Sequence, residues 1–451
     1  MDDERSTGGT TTDSPLLEPR FLALAMMEFW ERFAMAGVKS LLVLMLVDQV
    51  LAGDLARVAG ATTLHRLLGP VSTTGFASQL YGCANALIYL SIPLGGLVGD
   101  LGGSRRLLVL GGGGGMLLGL MLMLGKGSFL IGLIPFALGT GLLKGNLSAQ
   151  LGMLYANEAR RRRAYTAYLG FLNAGTIGGP LVCGALALFY GPVWGLGAAA
   201  AGLTIGLGFY ARSGAEIARP PVAVMADRVS LGAAPAVGLL IVALAAVYLC
   251  FAAYEQLNNI FLIWARTHLD LRLGGWAMPV AWFLSLDGAF TLMLITLSQW
   301  ATRALERRGH AISASVQVLM GGLCCTAGYL ILTIGSAEGP SLPLPWAITY
   351  VLLIDAAIVL IWPSGLSLIA GAAPRRRVGF WMGLFYLHGF FANLWVGFSG
   401  VWYDRIGAPA FWLLHAGVAG CGALLMLVAG LPLMGAARRA EGRAQAITTS
   451  A

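Results

Sequence analysis

Charge is scarce in this sequence: aspartate, glutamate, lysine and arginine make up 11% of 451 residues, and histidine occurs five times. Soluble domains carry about 25% charged residues, so a water-exposed globule is excluded. Cysteine is sparse too. Cys83, Cys183, Cys250, Cys324, Cys325 and Cys421 have neither disulfide-framework nor metal-site spacing, and they read as small packing residues. His388 and His415 have no second ligand at metal spacing, and neither a nucleophile elbow nor a nucleotide loop occurs. No enzyme is expected, and no metal or organic cofactor. Short alternating strands of an outer-membrane barrel are also missing.

Apolar residues take up the room, at 57%. A helical crossing needs about 20 of them in a row to span roughly 30 Å of hydrocarbon. Twelve stretches qualify: Leu24–Val47, Gly75–Gly99, Leu107–Leu124, Phe129–Tyr155, Ala164–Tyr190, Val193–Tyr210, Ala234–Trp264, Trp276–Trp300, Ile312–Ile334, Leu344–Ala370, Gly379–Tyr403 and Ala410–Leu433. The chain therefore reads as an all-α membrane protein with the lipid bilayer as its surroundings. With both termini cytoplasmic, twenty basic residues fall in inner segments and six in outer loops, the asymmetry of the positive-inside rule. That distribution accounts for the net charge of +8 without a nucleic-acid partner.

The domain plan follows. Residues 1–21 form a polar tail without the apolar core of a signal peptide. A six-helix bundle is expected over 22–211, a Pro-rich charged linker over 212–233, a second bundle over 234–434 and a tail over 435–451. GGLVGDLGGSRR (95–106) is similar to the inner-loop signature of the major facilitator superfamily, departing from it at Leu101 and Ser104. The run Gly111–Gly115 and the segment NAGTIGGPLVCG (173–184) lie within spans, where glycine permits close helix approach.

One stretch resists the apolar rule. MEFWERFAMAGVK (27–39) places Glu28, Glu31, Arg32 and Lys39 inside the first span. At 100° per residue, positions 28, 31, 32, 35 and 39 fall at about 0°, 300°, 40°, 340° and 20°, so the charges form one stripe. Each charge at the bilayer centre costs roughly 2.5–3.5 kcal/mol, so the stripe must face a wet cavity or buried partners; the plainer alternative is a structural ion-pair cluster. Lys144, Glu255, Asp287 and Asp355 are further intramembrane charges available as partners. Burial raises a carboxyl pKa and a neighbouring cation lowers it, which suits such a set to carrying protons.

The run ExxERF at Glu28–Phe33, followed by GVK, resembles the first-helix signature of the proton-dependent oligopeptide transporter family, also called the peptide transporter family. ANALIYLSIPLGGLVGD, GTGLLKGN, FLNAGTIGGP, YEQLNNIFLIWA, AWFLSLDGAF, WPSGLSLIAGAAP and MGLFYLHGFFAN resemble its later spans in order and spacing. The resemblance implies a major facilitator superfamily fold, with twelve transmembrane helices in two six-helix bundles. It also implies a symporter of the inner membrane importing di- or tripeptides, or similar carboxylated, amine-bearing molecules, with the proton as coupling ion. Glu28, Glu31, Arg32 and Lys144 take the place of the proton-coupling cluster, and Lys39 with Glu255 that of a gate. Arg32, Lys39, Tyr89, Lys144, Asn173, Gln256, Asp287 and Phe385, or Tyr386 in its stead, take the place of substrate contacts.

The departures from the family pattern are specific. Met35 and Ala36 stand where two tyrosines are usual, Lys39 replaces arginine, Gly145 replaces proline, Asp287 replaces asparagine, and Ile358 replaces the tenth-span glutamate. The end of the site that receives a carboxylate is kept and the end that receives an amine is rebuilt, with Asp287 or Asp355 as the substitute acid. A proton-coupled exporter of drugs or metabolites, and a membrane sensor or scaffold without transport, are the competing expectations.

Overall fold

The computed structural model describes residues 18–69, 71–102, 104–155, 157–213, 234–310, 312–339, 341–373, 378–437 and 439. Most of the two tails and the linker, Gly103 of the loop motif and the arginine run 375–377 lie outside them.

Helix α1 (Pro19–Met45) continues through a π-helical turn, Leu46–Val50, and the short amphipathic α2 (Ala61–Leu68) follows it. Four long helices complete the first half: α3 (Thr73–Asp100), α4 (Arg105–Met123), α5 (Phe129–Leu154) and α6 (Glu158–Tyr190), with α7 (Pro192–Arg212) closing it. Their starts have local causes. Pro19 and Pro192 sit in first turns, where a missing N–H costs nothing. The Ser72 hydroxyl accepts from the Gly75 N–H at 3.0 Å, and the Asn157 amide oxygen from the Arg160 N–H at 3.1 Å.

The second half opens with α8 (Ala234–Tyr254), which passes through a 3-10 turn, Glu255–Asn258, into α9 (Ile260–His268). A hairpin of β1 (Arg272–Leu273) and β2 (Trp276–Ala277) precedes α10 (Trp282–Arg307), α11 (Ala314–Glu338) and α12 (Pro345–Ala372). The chain ends with α13 (Val378–Tyr386), α14 (His388–Gly400) and α15 (Tyr403–Leu425).

Ten helices among the described residues are long and apolar enough to cross a membrane. The other two expected crossings correspond to α10, at 26 residues about 39 Å long, and to α13 with α14, interrupted at Leu387. Three expectations on span shape need correcting. The seventh stretch is not one helix, because Asn259 (φ −127°, ψ −105°) breaks it. The eighth begins at Trp282 rather than Trp276, because Gly274 and Gly275 (φ +56° and +87°) fold the preceding residues into the hairpin. The eleventh is interrupted at Leu387, between α13 and α14, whereas the kink at Gly407 (φ +78°) lies before the twelfth stretch begins at Ala410.

Helix α1 is the buried axis of its half, packed on α6 and α7. Gly175 and Gly179 of α6 lie directly on the Phe29 and Phe33 carbonyls, where no side chain fits. In the five-glycine run the uses differ. A methyl at Gly112 would stand 2.6 Å from the Gly139 carbonyl oxygen of α5 and one at Gly115 3.3 Å from Gly139 Cα, whereas Gly111 and Gly114 face open space.

The two halves meet chiefly as α3 on α14 and α6 on α10. These are spans two and eleven, and spans five and eight. Adding six to each span number within the twelve exchanges the two contacts, as a duplicated six-helix bundle requires. The closed end of the interface lies near Met45, Ser72 and Trp402: there the Ser78 hydroxyl donates to the Val396 carbonyl at 3.1 Å, and Gly82 meets the backbone of Asn393 and Gly397.

Candidate functional site

The stripe on α1 meets its partners. Arg32 Nε donates to Glu28 Oε1 at 2.9 Å, and the Tyr168 hydroxyl of α6 donates to Glu28 Oε2 at 2.6 Å. Glu28 is thereby satisfied at both oxygens. Glu31, fully buried, stands differently: Lys144 Nζ lies 3.4 Å from Oε1 and Arg32 Nε 3.8 Å from Oε2, and neither oxygen takes a well-aligned hydrogen bond from the described residues. Two acids and two bases make the cluster neutral, with the acids enclosed and the bases partly open; Arg32 keeps 31% of its side chain accessible and Lys144 12%. Lys144 is delivered there because α5 hugs α3: a methyl at the adjoining Gly145 would stand 2.6 Å from the Ile92 carbonyl oxygen, a fit that proline would spoil.

Farther along α1, Lys39 Nζ lies 3.6 Å from Glu255 Oε2, and the Tyr89 hydroxyl of α3 donates to Glu255 Oε1 at 3.0 Å. The break in the seventh span is what aims Glu255 at α1. Nearer the end of the helices Arg266 of α9 grips Asp48 with two nitrogens, one at 3.1 Å, adding a second ion pair between the halves. The same break carries Gln256, whose amide donates to Ser399 Oγ of α14 at 2.8 Å, and Asn259, whose amide donates to Ser78 Oγ of α3.

The rebuilt end holds two acids rather than one. The Tyr254 hydroxyl donates to Asp287 Oδ1 at 3.0 Å, and the Thr291 hydroxyl, one turn after Asp287 on α10, donates to Asp355 Oδ1 of α12 at 3.2 Å. Arg32, Lys39, Tyr89, Lys144, Asn173 and Asp287 each keep an accessible edge. Asn173 turns its amide back on Leu169 O, at 2.8 Å. Gln256 and Phe385 do not line an open surface: both are fully buried, Gln256 within the α14 contact and Phe385 against Gly365, Trp362 and His388. Tyr386, beside Phe385, is exposed instead.

A family model described as the POT family matches residues 116–216 and 234–401, more than half of the chain. The chain belongs to the POT family. The peptide transporter YePEPT of Yersinia enterocolitica is 26% identical over 458 aligned positions, covering 84% of this chain and 86% of that protein. A di-/tripeptide transporter of Lactococcus lactis is 33% identical over 214 positions, covering 45% and 40%. The crystal structure of a peptide transporter POT in complex with sulfate superposes with a TM-score of 0.78 at 20% identity, over 92% of this chain and 94% of that one. A POT family transporter in complex with 5-aminolevulinic acid gives 0.78 at 18%, over 92% and 96%. The family and the fold are those of transporters, and with its apolar helices the chain is an integral membrane protein.

In this POT chain several partners were not apparent from the motifs. Tyr168 lies seven residues, two helical turns, before Gly175, which touches the Phe29 carbonyl, so its position on the α1-facing side of α6 was readable. Asp48 and Arg266 read as span-end and loop residues, and no single-sequence signal pairs them across 218 positions.

Proposed function

We propose that this protein is a proton-coupled symporter that imports di- or tripeptides, or small molecules bearing both a carboxylate and an amine, by alternating access. It sits in a bacterial inner membrane with both termini cytoplasmic. The membrane topology rests on the arginine asymmetry, and the substrate class on the family and on the ligands named for its relatives and structural neighbours.

The observation that carries the coupling is the state of Glu31, fully buried between Lys144 at 3.4 Å and Arg32 at 3.8 Å with no well-aligned hydrogen bond from the described residues. The cluster is neutral when empty. A substrate carboxylate that joins Lys144 brings one excess negative charge into a low-dielectric site, and a proton on Glu31 removes it. Binding of the anion and of the proton are therefore mutually favourable. Protonation of Glu31 also weakens its hold on Lys144 and frees the ammonium for the substrate. In the topology proposed, the Lys39–Glu255 and Asp48–Arg266 ion pairs stand on the outer side, where they would hold that end shut during the inward-facing stage of rocking between bundles. A potential of 100 mV contributes about 2.3 kcal/mol per charge carried, a roughly fiftyfold accumulation for one proton with a zwitterion.

Uptake of labelled dialanine into proteoliposomes tests this. Accumulation driven by an inward proton gradient is expected. Accumulation only with an outward gradient indicates an exporter, and binding without movement in either direction indicates a sensor.

A further inference from the structure

We infer that the inner ends of α6 and α10 form a binding site for the phosphate headgroup of an anionic phospholipid. The headgroup sits on Arg303 and Arg307 in the conformation described, and Arg163 joins it when the bundles close at that end. Placing this end in the cytoplasmic leaflet rests on the proposed topology, and the closing step on the proposed alternating access.

Near its start, α10 is held to α6 by two hydrogen bonds between the bundles. Ser285 Oγ donates to the Ile177 carbonyl at 2.8 Å, and Trp282 Nε1 donates to the Leu181 carbonyl at 3.0 Å. The lower number on one helix meets the higher on the other, so the pair runs antiparallel. Eighteen residues make about five turns of α-helix. Trp300 and Arg303 therefore repeat the face that Trp282 and Ser285 present to α6, and Arg163 repeats the face of Leu181. In the same register Trp300 falls opposite Arg163, with Arg303 and Arg307 one and two turns beyond.

At this end, however, the two faces stand open. Trp300 is 67% exposed, and Tyr165 and Leu169 of α6 are exposed as well. Arg163, Arg303 and Arg307 are exposed and make no ion pair among the described residues, whereas Arg160 is engaged by Glu18. Glu306, the acid in the last turn of α10, pairs with neither of its arginine neighbours. Closing the inner end on the α6–α10 register brings three guanidinium groups together with falling access to water. Like charges repel more strongly as the surrounding dielectric constant drops, so an anion between them favours closure.

The surface identifies that anion as a lipid. Thr296, Gln299, Trp300, Arg303, Ala304 and Arg307 line a groove of about 320 Å³. Arg303 and Arg307, four apart, are neighbours on the helix surface and offer paired N–H donors to phosphate oxygens. Away from the helix end the groove runs onto Met293 and Leu297, both exposed. With Trp300 these form one apolar stripe at helical spacing, a track for an acyl chain, and an indole beside basic residues is the usual chemistry of the membrane interface. A free phosphate has no use for that track.

Native mass spectrometry of the delipidated full-length protein, with phosphatidylglycerol or phosphatidylcholine of the same chains, tests the site. The wild type should retain phosphatidylglycerol in preference. A basic residue near an anionic lipid surface is worth about 1 kcal/mol, so Arg303→Gln with Arg307→Gln should weaken phosphatidylglycerol binding about thirtyfold and leave phosphatidylcholine unchanged. Arg308→Gln, outside the groove, should weaken it less than about threefold. An equal loss in Arg308→Gln, no loss in the double variant, or displacement of the lipid by excess inorganic phosphate overturns the inference. Hydrogen exchange in nanodiscs reads the closing step. Phosphatidylglycerol should slow exchange at the inner halves of α6 and α10 relative to phosphatidylcholine in the wild type but not in Arg163→Gln, and a difference that persists in that variant overturns the part given to Arg163. Lipid binding that depends on Arg303 and Arg307 in a protein that moves no peptide upholds the site and refutes the transport reading alone.

Discussion

Glu31 and Lys144 face each other across the α1–α5 contact at 3.4 Å, yet neither oxygen of Glu31 takes a well-aligned hydrogen bond from the described residues. Its neighbour Glu28, one turn away, is hydrogen-bonded at both oxygens by Arg32 and Tyr168. The two acids are therefore not equivalent, and the difference separates coupling from architecture. Glu31→Gln should abolish accumulation in an imposed pH gradient while sparing counterflow exchange, with little change in melting temperature. Glu28→Gln leaves Arg32 without its strongest partner, and breaking a buried pair costs about 3–5 kcal/mol, so this variant should lose Tm first. Wild-type accumulation by Glu31→Gln, measured in proteoliposomes, contradicts the assignment.

Tyr168→Phe removes a hydroxyl that donates to a buried carboxylate at 2.6 Å. Hydrogen bonds to charged groups are worth about 1.5–3 kcal/mol. The expected result is a lower Tm and a shifted pH dependence of uptake with the maximal rate retained. A pH profile identical to wild type assigns the hydroxyl a packing role only.

The two ion pairs at the closed end should differ in weight. Lys39 and Glu255 are mostly buried, and reversing either one leaves like charges close together; the double reversal Lys39→Glu with Glu255→Lys should recover part of the lost transport. Asp48 and Arg266 are more than a third exposed, where such pairs contribute about 0–1 kcal/mol, so Asp48→Asn should change transport by less than about fivefold. A double reversal no better than the worse single variant argues against direct pairing. An Asp48→Asn as damaging as Glu255→Gln argues that the outer pair is the main lock.

How far the sequence goes in this chain depends on whether a feature is local. The stripe on α1 follows from a 3.6-residue period and the cost of charge in a bilayer, and the glycine pattern of α6 follows from the same period. Which base meets Glu31 came only from the family resemblance, because spacing along one helix says nothing about a helix a hundred residues later. The break at Glu255–Asn259 carries no glycine or proline in YEQLNN to mark it, and the packing of Gln256 and Asn259 against Ser399 and Ser78 maintains it. Asp287 and Asp355 were read as alternative replacements for one lost acid; only the packing of α10 on α12 joins them.

Glycine substitutions in the run 111–115 test the α4–α5 contact. Gly112→Ala pushes a methyl to 2.6 Å from the Gly139 carbonyl oxygen, whereas Gly114→Ala meets nothing within 4 Å. Overpacking costs about 1–3 kcal/mol, so the first should lower Tm and the second should leave it unchanged or raise it. Equal melting temperatures rule out this contact as the reason for the run.

The amine end of the site yields the most discriminating prediction. Removing the charge of Asp287 alone does not empty the site of acid, because Asp355 remains beside Thr291. Asp287→Asn should thus cost an amine-bearing ligand less than about tenfold in affinity. The double variant Asp287→Asn with Asp355→Asn removes both carboxylates and one charge-assisted bond, worth about 1.5–3 kcal/mol, so affinity for dialanine should fall about ten- to a hundredfold. N-acetyl-dialanine, with no cation to lose, should be affected less than about threefold. Ile358 lies one turn beyond Asp355 and is only partly buried, so adding Ile358→Glu to the double variant places a carboxylate where the family pattern has its acid and should restore dialanine binding. Equal losses for both peptides contradict the assignment of this end to the amine. Failure of Ile358→Glu to restore binding, with the double variant still folded, would instead show that the site recognises its cation only in the cleft between α10 and α12.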